Sequence, residues 1–217
     1  MGEVDAVRLI ATGRASEIFD IGDGRVLRRF KTDGDPEREA LVMRHAAARG
    51  FPVPRVLATT PDALVLERID GPTMADELRR GVRTLRGHAS LLARLHEQLH
   101  EIDAPTGLAA EGPGNRLIHL DLHPANVILS PHGAVVVDWT NARSGDPALD
   151  VAMTWVIVVT SAGRGHVGGM FIRRFLAHFD RDDVVGALPA AAKRRLADVN
   201  VTDSERQAVR ELLRKSG

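Results

Sequence analysis

The chain has 217 residues, of which 44% are hydrophobic, enough to bury the core of one domain or of two closely coupled lobes. Lys plus Arg and Asp plus Glu both number 29, so the net charge gives no indication of a nucleic-acid or membrane partner. The absence of Cys excludes a disulfide framework, a zinc–thiolate site and thiol catalysis.

Two further features bear on location and partners. The first residues, Met1 to Asp5, lack the basic and apolar regions of a signal peptide, which favours a cytoplasmic protein. The most apolar run, 151–159, is too short to span a bilayer and predicts a buried helix, with a membrane or partner surface as the alternative. Only 4% of residues are aromatic and no basic face stands out, so nucleic-acid binding is not expected.

The first part of the chain predicts strands joined by tight turns. Strands are expected over 7–11, 17–21 and 25–30, with Gly22-Asp23-Gly24 as the hairpin turn between the second and third. Asp35 and Pro36 predict the N-cap and first position of a helix that ends with a C-cap at Gly50.

Two more strands, over 55–58 and 63–66, precede a break at Asp70-Gly71-Pro72, where we place the boundary between two lobes. Beyond it, Thr73 with Asp76 and Glu77 downstream predicts a helix start. A longer helix is indicated by apolar residues at helical spacing: Leu85, Leu92, Leu95, Leu99 and Ile102.

The remainder of the chain predicts one hairpin and then helices. Short strands over 127–129 and 134–137 flank a turn at 131–133, and the pattern is helical from Pro147 onward. The whole is a bilobal α+β plan, in which a small antiparallel sheet with one helix precedes a mostly helical lobe.

Asp121 and Asn126 stand five positions apart, a pairing that suits phosphoryl transfer. A carboxylate can accept the proton of the substrate hydroxyl while a nearby amide oxygen ligates a metal ion. If the following hairpin turns about His132, residues whose numbers sum to 264 face each other, which brings Asp138 beside Asn126. Two oxygen ligands suit Mg²⁺, which takes its remaining ligands from phosphates and water.

At these residues the sequence resembles the aminoglycoside phosphotransferase and choline kinase-like family, relatives of the protein kinases. The resemblance rests on the loop motif, on Asp138-Trp139 and on the segment 145–150. The loop motif comprises His119, Asp121, His123, Pro124 and Asn126.

The resemblance implies a protein-kinase-like fold, ATP and Mg²⁺ as cofactors, and a small hydroxylated acceptor. It implies that Asp121 is the catalytic base, that Asn126 and Asp138 bind Mg²⁺ and that His119 braces the loop. Residues 1–69 would form the nucleotide-binding lobe with the hinge, and 70–217 the catalytic and substrate-binding lobe. The oligomeric state is not indicated.

The loop between the first two strands lies where such a kinase covers the ATP phosphates, so Gly13 and Ser16 are candidate phosphate contacts or members of an ordinary turn. The kinase lysine of the third strand is replaced by Arg28, because Arg29 and Lys31 would point to the other face. Its expected partner is Glu39, with Glu37 as the competing choice.

The segment 64–71 is expected to be the hinge, whose main chain would bind adenine near Glu67 to Ile69. From Asp146 onward, nine Asp and Glu stand against eleven Lys and Arg, which does not favour a polycationic acceptor. A small hydroxylated metabolite is the expected substrate.

Several alternatives remain open from the residues alone. Asp121 and Asn126 could simply turn a surface loop. A metallohydrolase would use His119, Asp121 and His123 as ligands alternating along one strand, with His96 and His100 nearby; otherwise the last two are helix residues with packing or hydrogen-bonding roles. A nucleotide-binding pseudokinase or interaction module and a small protein-directed kinase are the other function classes.

Overall fold

The structure, a computed structural model, describes residues 7–13, 16–31, 34–81, 84–161 and 166–216 of the chain. The described residues form two compact units. One extends to Gly71 and includes Ile128–Thr140, and the other consists of Pro72–Val127 and Asn141–Gly217. The described part contains both an antiparallel sheet and a set of helices, which confirms the predicted α+β class.

The sheet of the first unit confirms the five strands that the sequence predicts. The strands are β1 Arg8–Thr12, β2 Ser16–Asp20, β3 Arg25–Phe30, β4 Val56–Thr59 and β5 Ala63–Glu67. Neighbouring strands pair antiparallel throughout, in the order β1-β2-β3-β5-β4. The hairpin between β2 and β3 is possible because Gly22, Asp23 and Gly24 all adopt positive φ.

Helix α1, Pro36–Ala47, begins where predicted but ends earlier. The Asp35 side chain accepts a hydrogen bond from the Arg38 backbone N–H, and Pro36 occupies the first turn. The predicted C-cap at Gly50 is wrong, because the helix ends at Ala47 and a tight turn follows. Gly50 has a φ of 79° in that turn, which favours glycine but does not mark the helix end.

A second hairpin, β8 Val127–Ser130 and β9 Gly133–Val136, ends in the segment that carries Asp138. The strands confirm the predicted hairpin, but Pro131 and His132 alone connect them, so the predicted three-residue turn is wrong. Since the register argument assumed that longer turn, the approach of Asn126 to Asp138 no longer follows from the hairpin and stays a prediction.

The hairpin segment is held within the first unit by Trp139. Its side chain is fully buried and meets the Phe51 ring edge to face at 5.6 Å between centroids. The Val136 N–H donates to the Pro52 carbonyl oxygen at 2.9 Å. These contacts fix the chain on both sides of Val137 and Asp138.

The second unit is mostly helical, as predicted. Thr73 and Asp76 cap the first of its helices reciprocally in the expected capping box. The helices of the described residues are α2 Met74–Arg80, α3 Leu85–His100, α4 Pro147–Ser161, α5 His166–Leu176, α6 Arg181–Ala197 and α7 Asp203–Ser216.

Helix α4 forms the core of the second unit. It contacts α3, α5, α6 and α7, and ten of its fifteen residues are buried, which confirms the interpretation of 151–159 as a buried helix. Within the described residues, every helix is too short or too polar to cross a membrane.

A small sheet in the second unit was not predicted. It joins β6 Ala110–Glu111, β10 Arg143–Gly145 and β7 Arg116–Ile118 in that order. Strands of two or three residues show no usable periodicity in sequence. The sheet matters because β7 ends immediately before His119.

Candidate active site

The loop that contains the motif leaves β7 at Ile118 and ends in a short 3-10 helix, Pro124–Asn126. Leu120 in this loop has a φ of 63° although its side chain is buried. A branched residue in the left-handed region costs on the order of 1–3 kcal/mol and persists only where its surroundings enforce it. Strain of this kind is often found at functional sites.

Asp150, in the first turn of α4, supplies that enforcement. Its fully buried carboxylate accepts the backbone N–H of His119 at 3.0 Å and that of Leu120 at 2.6 Å. The His100 Nε2 atom lies 3.0 Å from the same carboxylate. Burial raises the pKa of Asp150, but the hydrogen bond and charge of His100 outweigh burial and hold the pKa below its usual range.

His96 extends this buried network along α3. Its ring nitrogens lie 2.9 Å from the Leu92 carbonyl oxygen and 2.9 Å from the Thr154 hydroxyl. Thr154 in turn donates to the Leu122 carbonyl oxygen at 2.6 Å, inside the loop. Burial lowers the pKa of His96 to about 4, so the ring is neutral at physiological pH.

The arrangement does not fit the metallohydrolase alternative. Because β7 ends at Ile118, His119, Asp121 and His123 do not alternate along one strand. Within the described ranges, no group of three or more His, Asp or Glu is placed to hold a metal ion. His96 and His100 instead make the packing and hydrogen-bonding contacts expected of helix residues.

Asp121 and Asn126 meet directly. The Asn126 amide nitrogen lies 2.9 Å from the Asp121 carbonyl oxygen and 3.0 Å from its Oδ2, so both amide protons are donated to Asp121. This bonding fixes the orientation of the Asn126 amide and makes its oxygen the atom suited to ligate a cation. If Asp121 and Asn126 only turned a surface loop, the loop would not need the buried carboxylate of Asp150, which binds the backbone of His119 and Leu120.

The first unit contains a cluster around Arg28, which is buried on β3 as the strand alternation predicts. Its Nε donates to Ser16 Oγ at 3.0 Å, and its Nη1 forms an ion pair with Glu39. Its Nη2 donates to Asp138 Oδ1 at 2.6 Å and to the Thr140 hydroxyl oxygen at 2.9 Å. Although burial opposes it, the charges of Asp138 and Glu39 raise the pKa of Arg28.

Glu39, rather than the exposed Glu37, is therefore the partner of Arg28. The backbone N–H of Trp139 donates to Glu39 Oε1 at 3.1 Å, and the Thr140 hydroxyl lies 3.0 Å from Glu39 Oε2. Burial raises the pKa of Glu39, and the charge of Arg28 opposes that rise. Asp138 has a φ of 65° and keeps 43% of its side chain exposed.

The other predicted nucleotide contacts lie at or just beyond the ends of strands. The Gly13 N–H donates to the Ser16 carbonyl oxygen at 2.8 Å, and the Ser16 hydroxyl is buried against Arg28. In the expected hinge, the Glu67 N–H donates to the Arg55 carbonyl oxygen at 2.9 Å. The assignment of Glu67 and Ile69 to adenine stays a prediction.

Sequence reasoning missed one residue in each unit. Asp150 was noted as part of the segment 145–150 that resembles the family, and a buried acidic residue at the start of an apolar helix was a usable signal. Thr140 carried no such signal, because a threonine after a strand is common and its contacts come from residues about 100 positions away.

The chain matches the family model described as the phosphotransferase enzyme family over residues 6–114 and 106–185. That match covers most of the chain, and the chain belongs to this family.

Relatives of the chain include thiamine kinases from two bacteria. A thiamine kinase of Salmonella paratyphi A is 27% identical over 170 residues, an alignment that covers 61% of this chain and 58% of the relative. The chain thus spans under two thirds of the length of that relative. A thiamine kinase of Shigella boydii is 41% identical over 39 residues, or 18% of this chain and 14% of the relative.

Solved structures share the fold. The aminoglycoside phosphotransferase APH(4)-Ia, crystallised as a thermostable mutant with AMP-PNP and hygromycin B, has a TM-score of 0.74 at 17% identity, covering 100% of this chain and 96% of that chain. A choline/ethanolamine kinase family protein from Mesorhizobium loti has a TM-score of 0.65 at 17% identity, covering 99% and 88%. These likenesses confirm the predicted kinase-like fold.

Proposed function

We propose that the chain is an ATP-dependent phosphotransferase that moves the γ-phosphate of ATP to a hydroxyl group of a small molecule. The observation that carries the proposal is the bonded pair of Asp121 and Asn126 on a strained loop, which a buried carboxylate holds in place. Family membership and the thiamine kinase relatives support the same reaction class.

In this reaction the acceptor oxygen attacks the γ-phosphorus, the bond to the ADP oxygen breaks, and the hydroxyl proton passes to Asp121. The two hydrogen bonds from Asn126 keep the Asp121 carboxylate in one orientation. His119 contributes through its backbone N–H, which anchors the loop on Asp150, so we assign it a positioning role. Positioning of this kind is a main source of catalysis in phosphoryl transfer.

The donor atoms suit Mg²⁺. Asn126 offers an amide oxygen and Asp138 a carboxylate with 43% of its side chain exposed, and hard oxygen ligands of this type are those that Mg²⁺ prefers. We assign the metal to these two residues. When bound with the nucleotide, Mg²⁺ would neutralise charge on the phosphates.

Residues 1–69 are proposed to bind the nucleotide and 70–217 to supply catalysis and the acceptor site. Arg28 has the place of the kinase lysine, with Ser16 and Glu39 holding its guanidinium. Gly13 would approach the phosphates, and the main chain at Glu67 and Ile69 would bind adenine. Because Arg28 already bonds Asp138, we expect the nucleotide and Mg²⁺ to compete with this ion pair.

The test compares Mg-ATP binding and phosphate transfer in the unmodified chain, in Asp121→Asn and in Asp138→Ala. We expect Asp121→Asn to bind Mg-ATP normally and to lose turnover by about 10²–10⁴-fold, since the proton acceptor is removed. We expect Asp138→Ala to weaken Mg-ATP binding, because a metal ligand is lost. Calorimetry measures the binding, and transfer of labelled phosphate to an alcohol panel measures turnover.

Asp23→Ala is the matched control for Asp138→Ala. Asp23 also has a positive φ of 50° and an ion pair with an arginine, but its side chain is exposed in the β2–β3 turn. It should leave nucleotide binding unchanged. If the unmodified chain fails to bind Mg-ATP at millimolar nucleotide, the phosphotransferase proposal is wrong.

A nucleotide-binding pseudokinase is the second candidate. The ion pair between Arg28 and Asp138 favours it, because that pair engages the carboxylate that Mg²⁺ needs. The two candidates differ in one result. A pseudokinase binds nucleotide but transfers phosphate to no acceptor of the alcohol panel.

A further inference from the structure

A cavity of about 630 Å³ lies within the second unit, a volume typical of small-molecule sites. Its described walls come from α2, from the end of the motif loop, and from α4 and α5. Leu78, Ile157 and Phe171 provide apolar surface from three different helices. The cavity therefore offers a small molecule a place to bury an apolar body.

His123 connects this cavity to the proposed base. It lines the cavity, and its Nε2 lies 3.4 Å from Asp121 Oδ1. Its Nδ1 accepts the Ala125 N–H at 3.2 Å, so a neutral ring carries its proton on Nε2, the atom that faces Asp121. A molecule in the cavity is thus separated from the carboxylate by a single side chain.

The described lining of the cavity contains no carboxylate that could pair with a cation. Neither Asp nor Glu is among the described residues that line it. Among the described lining residues, the charged side chain is that of Arg79, which is 73% exposed and paired with Asp76. An ammonium group buried here would lose its hydration without a compensating carboxylate.

An aromatic cage does not replace the missing charge. Quaternary ammonium ions bind proteins against the faces of several aromatic rings. Phe171 is the sole Phe, Trp or Tyr among the described lining residues. The lining therefore suits neither a polycationic nor a quaternary ammonium acceptor.

We propose that the acceptor is an uncharged alcohol whose apolar body occupies this cavity and whose hydroxyl reaches Asp121 past His123. The proposal rests on the proposed phosphotransferase function, because the alcohol is a phosphate acceptor only if the chain transfers phosphate. Binding of the alcohol itself requires neither nucleotide nor catalysis, so it is tested separately.

The probes are 4-tert-butylbenzyl alcohol and 4-(trimethylammonio)benzyl alcohol, which have nearly the same shape and differ by one charge. Calorimetric titration of the full chain without nucleotide gives both dissociation constants. We expect the neutral alcohol to bind at least about tenfold more tightly than the cation, a difference of about 1.4 kcal/mol.

Two variants introduce a carboxylate into the cavity wall. Leu78 is half-buried on α2 and Ser161 is exposed at the end of α4, so Leu78→Asp and Ser161→Asp should both fold. Each should lower the neutral-to-cation preference by about tenfold. Leu41→Asp makes the same change on a 49% exposed leucine of α1 and should leave the preference unchanged.

Three results would overturn the proposal: equal or tighter binding of the cation, no binding of either alcohol at millimolar concentration, or a preference that neither carboxylate changes. None of these depends on ATP. A chain that binds the neutral alcohol selectively but not Mg-ATP would contradict the phosphotransferase function and leave the cavity assignment standing.

Discussion

Arg28 stabilises the first unit through its buried ion pair with Glu39 and its bond to Asp138. We expect Arg28→Met to lower the free energy of unfolding by about 3 kcal/mol, because Glu39 is left as an uncompensated buried charge. Urea unfolding at neutral pH measures the loss. Arg29→Met, on the same strand, removes an exposed ion pair with Glu17 and should cost about 0–1 kcal/mol.

The loss in Arg28→Met should depend on pH. Burial already raises the pKa of Glu39, and removal of Arg28 takes away the charge that opposes that rise. A carboxyl group with a raised folded-state pKa contributes stability below its unfolded value of 4.5, and that stability is lost as pH rises through the folded pKa. The deficit is therefore smallest in acid and grows toward neutral pH. A deficit independent of pH would contradict this account.

At this scale, the sequence identified Arg28 and Glu39 because strand alternation and helix position are local properties. It did not identify Thr140 or the bond from Arg28 to Asp138, since those contacts join residues about 110 positions apart. The pairing of Asn126 with Asp138 failed as a derivation for a related reason. One residue of turn length changes which residues face each other across a hairpin.

Among the elements, the start of α4 controls the motif loop. We expect Asp150→Asn to lower the free energy of unfolding by about 3 kcal/mol and to reduce turnover. The substitution removes the buried carboxylate that accepts the backbone N–H groups of His119 and Leu120 and lies beside His100. The amides of His119 and Leu120 should exchange hydrogen faster, as mass spectrometry or NMR would show.

The control is Asp146→Asn, whose exposed carboxylate accepts the Ala148 N–H at 2.9 Å in the same helix start. It should cost less than about 1 kcal/mol, in the range of helix-end interactions with charged side chains. If Asp150→Asn leaves amide exchange in the loop unchanged, the buried carboxylate does not hold the loop.

Long elements were predictable and short ones were not. The capping box at Thr73 and the apolar character of α4 are strong local signals, and both predictions are confirmed. The small sheet of β6, β7 and β10 was missed because its strands hold two or three residues each and form only against one another. The C-terminus of α1 was misplaced because Gly50 suits a turn after a helix as well as a C-cap.

For the molecule as a whole, stability should fall in mild acid because of His96. Its folded pKa of about 4 lies below the usual 6.5, so its contribution is fully present above pH 6.5 and is lost as pH falls toward 4. The loss amounts to about 3 kcal/mol at pH 4. Asp150, His100 and His119 face the His96 ring and shift its pKa. The lowered pKa of Asp150 changes stability only below pH 3.8, the usual pKa of an Asp side chain, and so does not contribute to the loss above that pH.

Urea unfolding between pH 7 and pH 4 measures this loss. Trp139 of the first unit is replaced by Phe in every protein compared. The tryptophan fluorescence then comes from Trp155 of α4 and follows unfolding of the second unit. We expect His96→Gln to flatten the pH dependence and His178→Gln, an exposed histidine of the same unit, to leave it intact. Parallel curves for both variants would exclude His96 as the source.

The division of the chain between the two units has a consequence for its synthesis. Because Ile128–Thr140 belongs to the first unit, the ribosome must complete most of the chain before that unit can close around Glu39. A fragment that stops at Gly71 lacks Asp138, Trp139 and Thr140, and so leaves Arg28 and Glu39 short of partners. The first unit by itself therefore cannot be produced from one uninterrupted stretch of the chain.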